Sequence, residues 1–286
     1  MKIKSTLQII KTTFTNWLAI DPFAKSAIIS YYTLFSLPSL LLIIIWVTSL
    51  FYGREAVQGH ITQEFSSLIG HESANAIEGM VSSASIDDNS TLNIIVSTCT
   101  LLFGATGVFF QLQKTLNTIF KVEEEKSSWK KMIINRVLSF GLIMAIGFLL
   151  IISLMVSTAI SILNNYIKDY YPDIASVVVG GLNFIVSLLV ITALFGVIYR
   201  FLPDKRIKWK TAFIGASATT LLFLFGKMLL SFYFGHSSPA SVYGGASSVV
   251  LIMLWVYYAG LIFFMGAEFT MVYSEYYQRK KSEQLS

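Results

Sequence analysis

The stretch from Thr219 to Gly235, TTLLFLFGKMLLSFYFG, is almost continuously apolar and carries a single charge, Lys227, near its centre. An α-helix rises about 1.5 Å per residue, so about 20 apolar residues cross the roughly 30 Å hydrocarbon core of a bilayer. Together with the residues before it, the stretch therefore predicts a membrane-spanning helix. A lysine inside such a helix either extends its side chain to the headgroups or faces a polar cavity.

The composition of the whole chain is typical of a membrane protein that crosses the bilayer several times. Hydrophobic residues make up 55% of the 286 residues and charged residues 13%, whereas soluble domains carry about 25% charged residues. A soluble globular fold is therefore excluded. The only cysteine, Cys99, lies inside an apolar run, so no intrachain disulfide can form. The first 26 residues lack the features of a removable signal peptide.

Long apolar segments predict an all-α fold, with six transmembrane helices in a single membrane domain over residues 1–286. Apolar residues at helical spacing also predict amphipathic helices, a cytoplasmic interfacial one over residues 3–18 and outer ones over residues 55–84. The predicted spans are residues 27–51, 92–113, 137–163, 176–199, 211–234 and 247–273.

Lysine and arginine are distributed unequally between the two sides of this arrangement. Eighteen of the 21 lie in the N-terminus, the second and fourth loops and the C-terminus, whereas the opposite loops hold only Arg54 and Lys168. By the positive-inside rule, both termini are predicted to be cytoplasmic. We therefore interpret the net charge of +5 as a topology signal rather than as a nucleic-acid-binding surface.

Three stretches resemble the YihY/virulence factor BrkB family of six-span bacterial inner-membrane proteins, once labelled ribonuclease BN. They are AIISYYTLFSLPSLLLIII (residues 27–45), RFLPDKRIKWKTAFIGA (residues 200–216) and SPASVYGGASSVVLIMLWVYYAGLIFFMGAEFTMVY (residues 238–273). The resemblance implies an all-α membrane bundle in the bacterial cytoplasmic (inner) membrane. Transport, serum resistance and tRNA processing by a ribonuclease have all been attached to the family.

The residues themselves argue against a ribonuclease. Metal-dependent nucleases need clustered His, Asp and Glu ligands on the side of the membrane where RNA is found. The only histidines, His60, His71 and His236, all lie on the outer side in the predicted topology. We therefore expect no nucleic-acid partner, no metal and no cofactor.

Lys227 is the main candidate for binding an anionic group, because a charge inside a membrane span points to function by default. It lies about 12 Å from the end of its helix, so a lysine that extends to the outer headgroups is the structural alternative. Other polar side chains could line the same cavity, and packing between helices is the alternative for each. They are Tyr31, Tyr32, Ser36, Gln111 and Tyr257.

Glu268 is predicted near the cytoplasmic end of the sixth span. A structural salt bridge to a cation such as Lys25, Arg136, Arg200 or Lys210 and a role in ion coupling are the two alternatives. A further group of residues is predicted to kink helices, to allow close helix contact or to form a loop between helices. These are Pro38, Gly104, Gly107, Pro239, Gly244 and Gly245.

The functional hypothesis is a transporter or flippase-like protein that moves an anionic solute or a lipid-linked anion through a cavity between helices. The alternative is a structural or scaffolding inner-membrane protein without transport. An intramembrane enzyme ranks last, because no catalytic Ser/His, paired-Asp or zinc motif lies within the spans. Membrane lipids are the expected partners, and the pattern is also compatible with an anionic substrate and a homo-oligomer.

Overall fold

The computed structural model of the protein describes residues 3–36, 91–122, 172–236 and 247–283, together with Val156 and Ile160. These ranges contain helices and no β-strand, so the all-α prediction is confirmed for them. The helices are α1 (Ile3–Ala19), α2 (described over residues 22–36), α3 (Thr91–Ile119), α4 (Pro172–Phe201), α5 (Trp209–His236) and α6 (Ser247–Glu283).

Three of these helices contain segments that are long and apolar enough to cross a membrane, namely Gly180–Phe201 in α4, Trp209–Leu230 in α5 and Val249–Lys280 in α6. They overlap the last three predicted spans. The predicted span at residues 92–113 lies within α3, and the predicted N-terminal helix lies within α1. The remaining predicted elements lie largely or wholly outside the described residues: the spans at 27–51 and 137–163 and the outer helices at 55–84.

Asp21 ends α1 and begins α2. Its backbone is left-handed, with a φ of 53°, a conformation that aspartate tolerates better than most residues. The Asp21 N–H donates to the Leu18 carbonyl at 3.2 Å, which closes the last turn of α1. The Asp21 carboxylate accepts a bond from the Ala24 N–H at 3.4 Å, and Pro22 occupies the first helical position, where no N–H is needed.

The C-terminus of α3 extends beyond the predicted span. Lys121 is left-handed, with a φ of 52°, and the Val122 N–H donates to the Asn117 carbonyl at 2.9 Å. This is the pattern of a Schellman cap, which satisfies the last carbonyls of a helix. The polar residues after Gln113 are also helical. Backbone hydrogen bonds hold a helix together whether or not its side chains contact lipid.

The chain divides into two compact units. The first unit comprises Met1–Asn16, Leu116–Leu221 and Met265–Ser286, and the second comprises Trp17–Thr115 and Leu222–Phe264. Helices α1, α3, α5 and α6 contribute residues to both. Buried side chains of the first unit include Leu116, Tyr199, Ala212, Ala216, Thr219, Ala267 and Thr270. Those of the second include Trp17, Ser26, Ile29, Phe223, Ile252 and Phe264.

Helix α1 has a buried row and a separate exposed apolar row. Ile9 and Thr13 are 3% and 6% exposed, whereas Leu7, Ile10 and Phe14 are 64%, 58% and 51% exposed. Residues three or four apart lie on one helix face, so each set forms a continuous row. One side of α1 packs against protein, and another presents apolar side chains to its surroundings.

Candidate functional site

Lys227 belongs to the second unit and lies on α5. Four residues before it, Phe223 is 8% exposed, and its ring lies 6.0 Å from the Trp255 ring of α6. Phe225 and Leu229, two positions to either side of Lys227, are 59% and 51% exposed. Because positions four apart share a face and positions two apart do not, half-buried Lys227 lies on the side of α5 that packs against α6.

Helices α2 and α3 approach closely where glycines face larger side chains. A Cβ at Gly104 would lie 2.6 Å from the Ser36 Cβ, and one at Gly107 would overlap the Tyr32 ring. The Tyr32 ring also lies 6.0 Å from the Phe103 ring, edge to face. The structure thus brings together four residues that the sequence singled out, and it does so through packing.

The other proposed cavity residues are placed differently. The Ser36 hydroxyl donates to the Thr33 carbonyl of its own helix at 3.3 Å. Tyr31 is 53% exposed and forms a ring contact with Phe35, so it lies on the exposed face of α2. Gln111 and Tyr257 are half-buried on α3 and α6.

Helix α6 also packs against α2 in the second unit, at Gly260 and at two serines that sequence reasoning missed, Ser26 and Ser30. The Ser30 hydroxyl donates to the Met253 carbonyl at 2.7 Å. A Cβ at Gly260 would lie 2.9 Å from the Ser26 hydroxyl oxygen, so a larger residue would force Ser26 to shift. Small residues on both helices were the available signal.

Tyr258, next to the predicted Tyr257, makes the hydrogen bonds between α6 and α5. Its hydroxyl donates to the Leu222 and Phe223 carbonyls at 3.2 and 3.3 Å. Its ring fills the space beside Gly226, where a Cβ would overlap the ring. Adjacent helical residues differ by about 100° in direction. Tyr258 therefore faces α5, whereas Tyr257 points to another side of α6.

A cluster of hydroxyl groups lies in the core of the first unit. The Tyr199 hydroxyl lies 3.0 Å from the Thr219 hydroxyl, and the Thr192 hydroxyl donates to that of Thr220 at 3.0 Å. All four side chains are buried. In an apolar membrane core each hydroxyl needs a partner, and here the bonds join α4 to α5. We call these four residues the hydroxyl cluster. Two of its three threonines, Thr219 and Thr220, begin the stretch that predicts the membrane span.

Helices α5 and α6 meet in the first unit through a reciprocal glycine–threonine contact. Gly215 lies against Thr270, and Gly266 lies against Thr219. Each threonine also donates to the carbonyl of the glycine four residues earlier in its own helix, at 2.8 and 2.7 Å. Small residues four apart are a common signal for close contact of membrane helices.

Glu268 lies between Gly266 and Thr270 on α6 and is 4% exposed. Its neighbours Ala267 and Val272 are 0% and 6% exposed, so the helix is enclosed on several sides. Of the cations proposed as partners, Arg200 donates to the Ile207 carbonyl and lies 5.7 Å from the centre of the Trp209 ring. Arg136 lies outside the described residues.

Four of the predicted structural residues also lie outside the described residues. Pro38 belongs to the first predicted span, and the other three belong to the loop before α6. Their predicted roles therefore stay predictions. These three are Pro239, Gly244 and Gly245.

Within the described ranges, no group of three or more His, Cys, Asp or Glu side chains could hold a metal ion. Two acidic side chains in the first unit bond to other elements instead. Asn117 of α3 and Asp204 of the loop after α4 form two bonds, at 2.8 and 3.0 Å. Lys121 and Glu275 form an ion pair at 2.6 Å.

Comparison with known proteins identifies the family. The sequence profile described as virulence factor BrkB matches residues 13–286, almost the whole chain. The chain belongs to the virulence factor BrkB family. This confirms the resemblance carried by the three quoted stretches, and with the apolar helices α4, α5 and α6 it identifies a membrane protein.

Two relatives of this BrkB-family protein bear different kinds of name. A UPF0761 membrane protein of Pseudoalteromonas atlantica is 26% identical over 257 residues, which cover 89% of this chain and 82% of the relative. The putative ribonuclease-like protein YfkH of Bacillus subtilis is 23% identical over 266 residues, which cover 92% of this chain and 94% of the relative. No solved structure matches the chain.

Proposed function

We propose that this BrkB-family protein moves an anionic solute or a lipid-linked anion across the bacterial inner membrane. In this proposal it has six spans, cytoplasmic termini and no enzymatic activity, and Lys227 attracts the anion. The position of Lys227 carries the proposal, because this cation lies on the face of α5 that packs against α6 and not on the face occupied by Phe225 and Leu229. A cation between membrane helices is costly unless an anion or water solvates it.

Two buried hydroxyls of the second unit add support. Among the described residues, the Ser26 and Thr115 hydroxyls are fully buried and have no hydrogen-bond partner. An unpaired buried hydroxyl costs about 1–3 kcal/mol, so such groups mark places where water or a polar solute is stabilising. A polar pathway through the second unit would satisfy both groups.

A scaffolding protein is the second candidate, and the exposed apolar row of α1 favours it. Leu7, Ile10 and Phe14 could hold an apolar partner as well as a lipid surface. We interpret this row as lying in the membrane interface, because α1 is adjacent in sequence to a predicted span. A ribonuclease, the activity suggested by the name of YfkH, has less support, since the three histidines are predicted on the outer side.

Flux in proteoliposomes tests the proposal. Vesicles with purified protein should take up at least one member of a panel of nucleotides, organic anions and fluorescent anionic lipids faster than empty vesicles. Lys227→Met should lower that flux at least tenfold while thermal stability changes little, because Met fills a similar volume without the charge. Lys114→Met, which removes an exposed lysine of α3, is the matched control and should retain full flux.

The outcomes separate the two candidates. No flux of any anion by the wild-type protein, with the protein correctly folded and inserted, would support scaffolding. Full flux by Lys227→Met would show that the protein transports an anion without the help of Lys227.

A further inference from the structure

A row of exposed aromatic rings runs along the junction of α4 and α5. Phe201, Trp209 and Phe213 are 48%, 43% and 43% exposed. The Trp209 ring lies 5.6 Å from the Phe201 ring and 5.5 Å from the Phe213 ring. Phe213 rests on α4, where a Cβ at Gly196 would lie 3.4 Å from the ring. We call these three side chains the aromatic row.

Cations surround the aromatic row. Between residues 200 and 210 the chain has five cations and one acid, Asp204, which is bonded to Asn117. The Arg200 guanidinium lies over the Trp209 ring at 5.7 Å and donates to the Ile207 carbonyl. A guanidinium has about five N–H donors, so this bond orients the group and occupies one of them. The other four cations are exposed: Lys205, Arg206, Lys208 and Lys210.

The aromatic row also marks a membrane boundary. Phe201 is the last residue of one candidate span, and Trp209 is the first residue of the next. Tryptophan at a span end lies at the membrane–water interface, at the level of the lipid headgroups. The cations of the intervening loop are therefore at the depth of lipid phosphates, and the rings are at the depth where acyl chains begin.

We propose that this junction is a binding site for an anionic phospholipid. The phosphate contacts Arg200, Lys208 and Lys210, and the acyl chains lie along the aromatic row. Positive charge alone would attract any anion, but a free phosphate or a nucleic-acid backbone would leave the exposed rings uncovered. A phospholipid satisfies both the cations and the apolar rings. The site is separate from Lys227, and the proposal does not depend on transport.

Native mass spectrometry of the detergent-solubilised full-length protein tests the site. Phosphatidylglycerol should bind more tightly than phosphatidylcholine of the same chain length. The double variant Lys208→Gln/Lys210→Gln should weaken phosphatidylglycerol binding about tenfold, since each cation near an anionic lipid contributes substantially. The control Arg279→Gln/Lys280→Gln removes two exposed cations at the end of α6 and should weaken binding less than about twofold.

A third variant separates the apolar contact from the charge. Trp209→Leu keeps every cation and should also weaken phosphatidylglycerol binding, while gel filtration and thermal unfolding verify the fold. Equal binding of the two lipids by the wild-type protein would overturn the proposal, whichever variants fold. So would equal loss in the test and control variants, or displacement of the lipid by inorganic phosphate at the same concentration, which would point to a free anion.

Discussion

Glu268 and Glu275 lie on nearly the same side of α6, because residues seven apart in a helix differ in direction by only about 20°. Their surroundings differ. Glu268 is 4% exposed, whereas Glu275 has a side chain 33% exposed and pairs with Lys121 at 2.6 Å. Removing a buried polar group leaves its surroundings unsatisfied, while solvent compensates the loss of an exposed pair. We therefore infer that Glu268 has a structural role and that Glu275 contributes little to stability.

The substitution Glu268→Gln should lower the free energy of unfolding by about 1–3 kcal/mol, because a buried carboxyl group with a partner in the protein is replaced by an amide. The same change at Glu275 should cost less than about 1 kcal/mol. Thermal unfolding in one detergent, followed for both variants, provides the measurement. If Glu268→Gln unfolds like the wild-type protein but anion flux loses its dependence on pH, Glu268 is a coupling residue instead.

At the level of the helices, the contact of α5 with α6 depends on two glycine–threonine pairs of identical spacing. Gly215 and Thr219 on α5 face Thr270 and Gly266 on α6. Each glycine leaves room for the opposite threonine, and each threonine satisfies its hydroxyl within its own helix. Membrane helices gain little from the hydrophobic effect when they associate, so close packing of this kind contributes much of their affinity.

Alanine should have different effects at a glycine inside this contact and at a glycine outside it. Gly215→Ala should destabilise by about 1–3 kcal/mol, because the new methyl group overlaps the Thr270 hydroxyl. Gly181→Ala should be neutral or stabilise by up to about 1 kcal/mol, since a Cβ there has no neighbour within 4 Å and alanine favours the helix. Thermal unfolding of both variants measures the difference.

A second substitution identifies the cause. Adding Thr270→Ala to Gly215→Ala removes the overlapping hydroxyl and should recover part of the lost stability. Equal effects of the two single glycine substitutions would show that helix propensity, rather than the contact with Thr270, determines stability.

At the level of the whole molecule, the distribution of charge determines the proposed orientation. Lysine and arginine are concentrated before the first predicted span, in the loop between α4 and α5 and after α6. Each of these segments is short or close to a span end, which is where positive charge controls insertion. The proposed anionic-lipid site then faces the cytoplasmic leaflet, where anionic headgroups attract cations.

Reporter fusions test this orientation. Alkaline phosphatase joined after His236, at the end of α5, should be active, because the enzyme folds only outside the cytoplasm. The same reporter joined after Glu283, at the end of α6, should be inactive, and green fluorescent protein at that position should fluoresce. The reverse pattern would invert the topology, and equal activity at both positions would mean that α6 does not cross the membrane.

The sequence by itself determined the class of the protein and much of its helical structure. Span length and the near absence of charge are properties of single segments, so α4, α5 and α6 could be predicted without knowledge of their neighbours. The three quoted stretches likewise sufficed for the family. The close approach of Gly104 and Gly107 to α2 could also be predicted, because small residues inside an apolar helix commonly mark a close contact with another helix.

Only the tertiary structure decided which side of each helix faces another helix. In a soluble protein the buried side is apolar and the exposed side polar, so the sequence has a helical period. In a membrane protein both sides are apolar, and the period that would distinguish Tyr258 from Tyr257 is missing. The sequence likewise contained no sign that Thr219 and Thr220 form the α5 side of the hydroxyl cluster. Their role depends on the partners that packing supplies, because a hydroxyl in lipid must form its bonds within the protein.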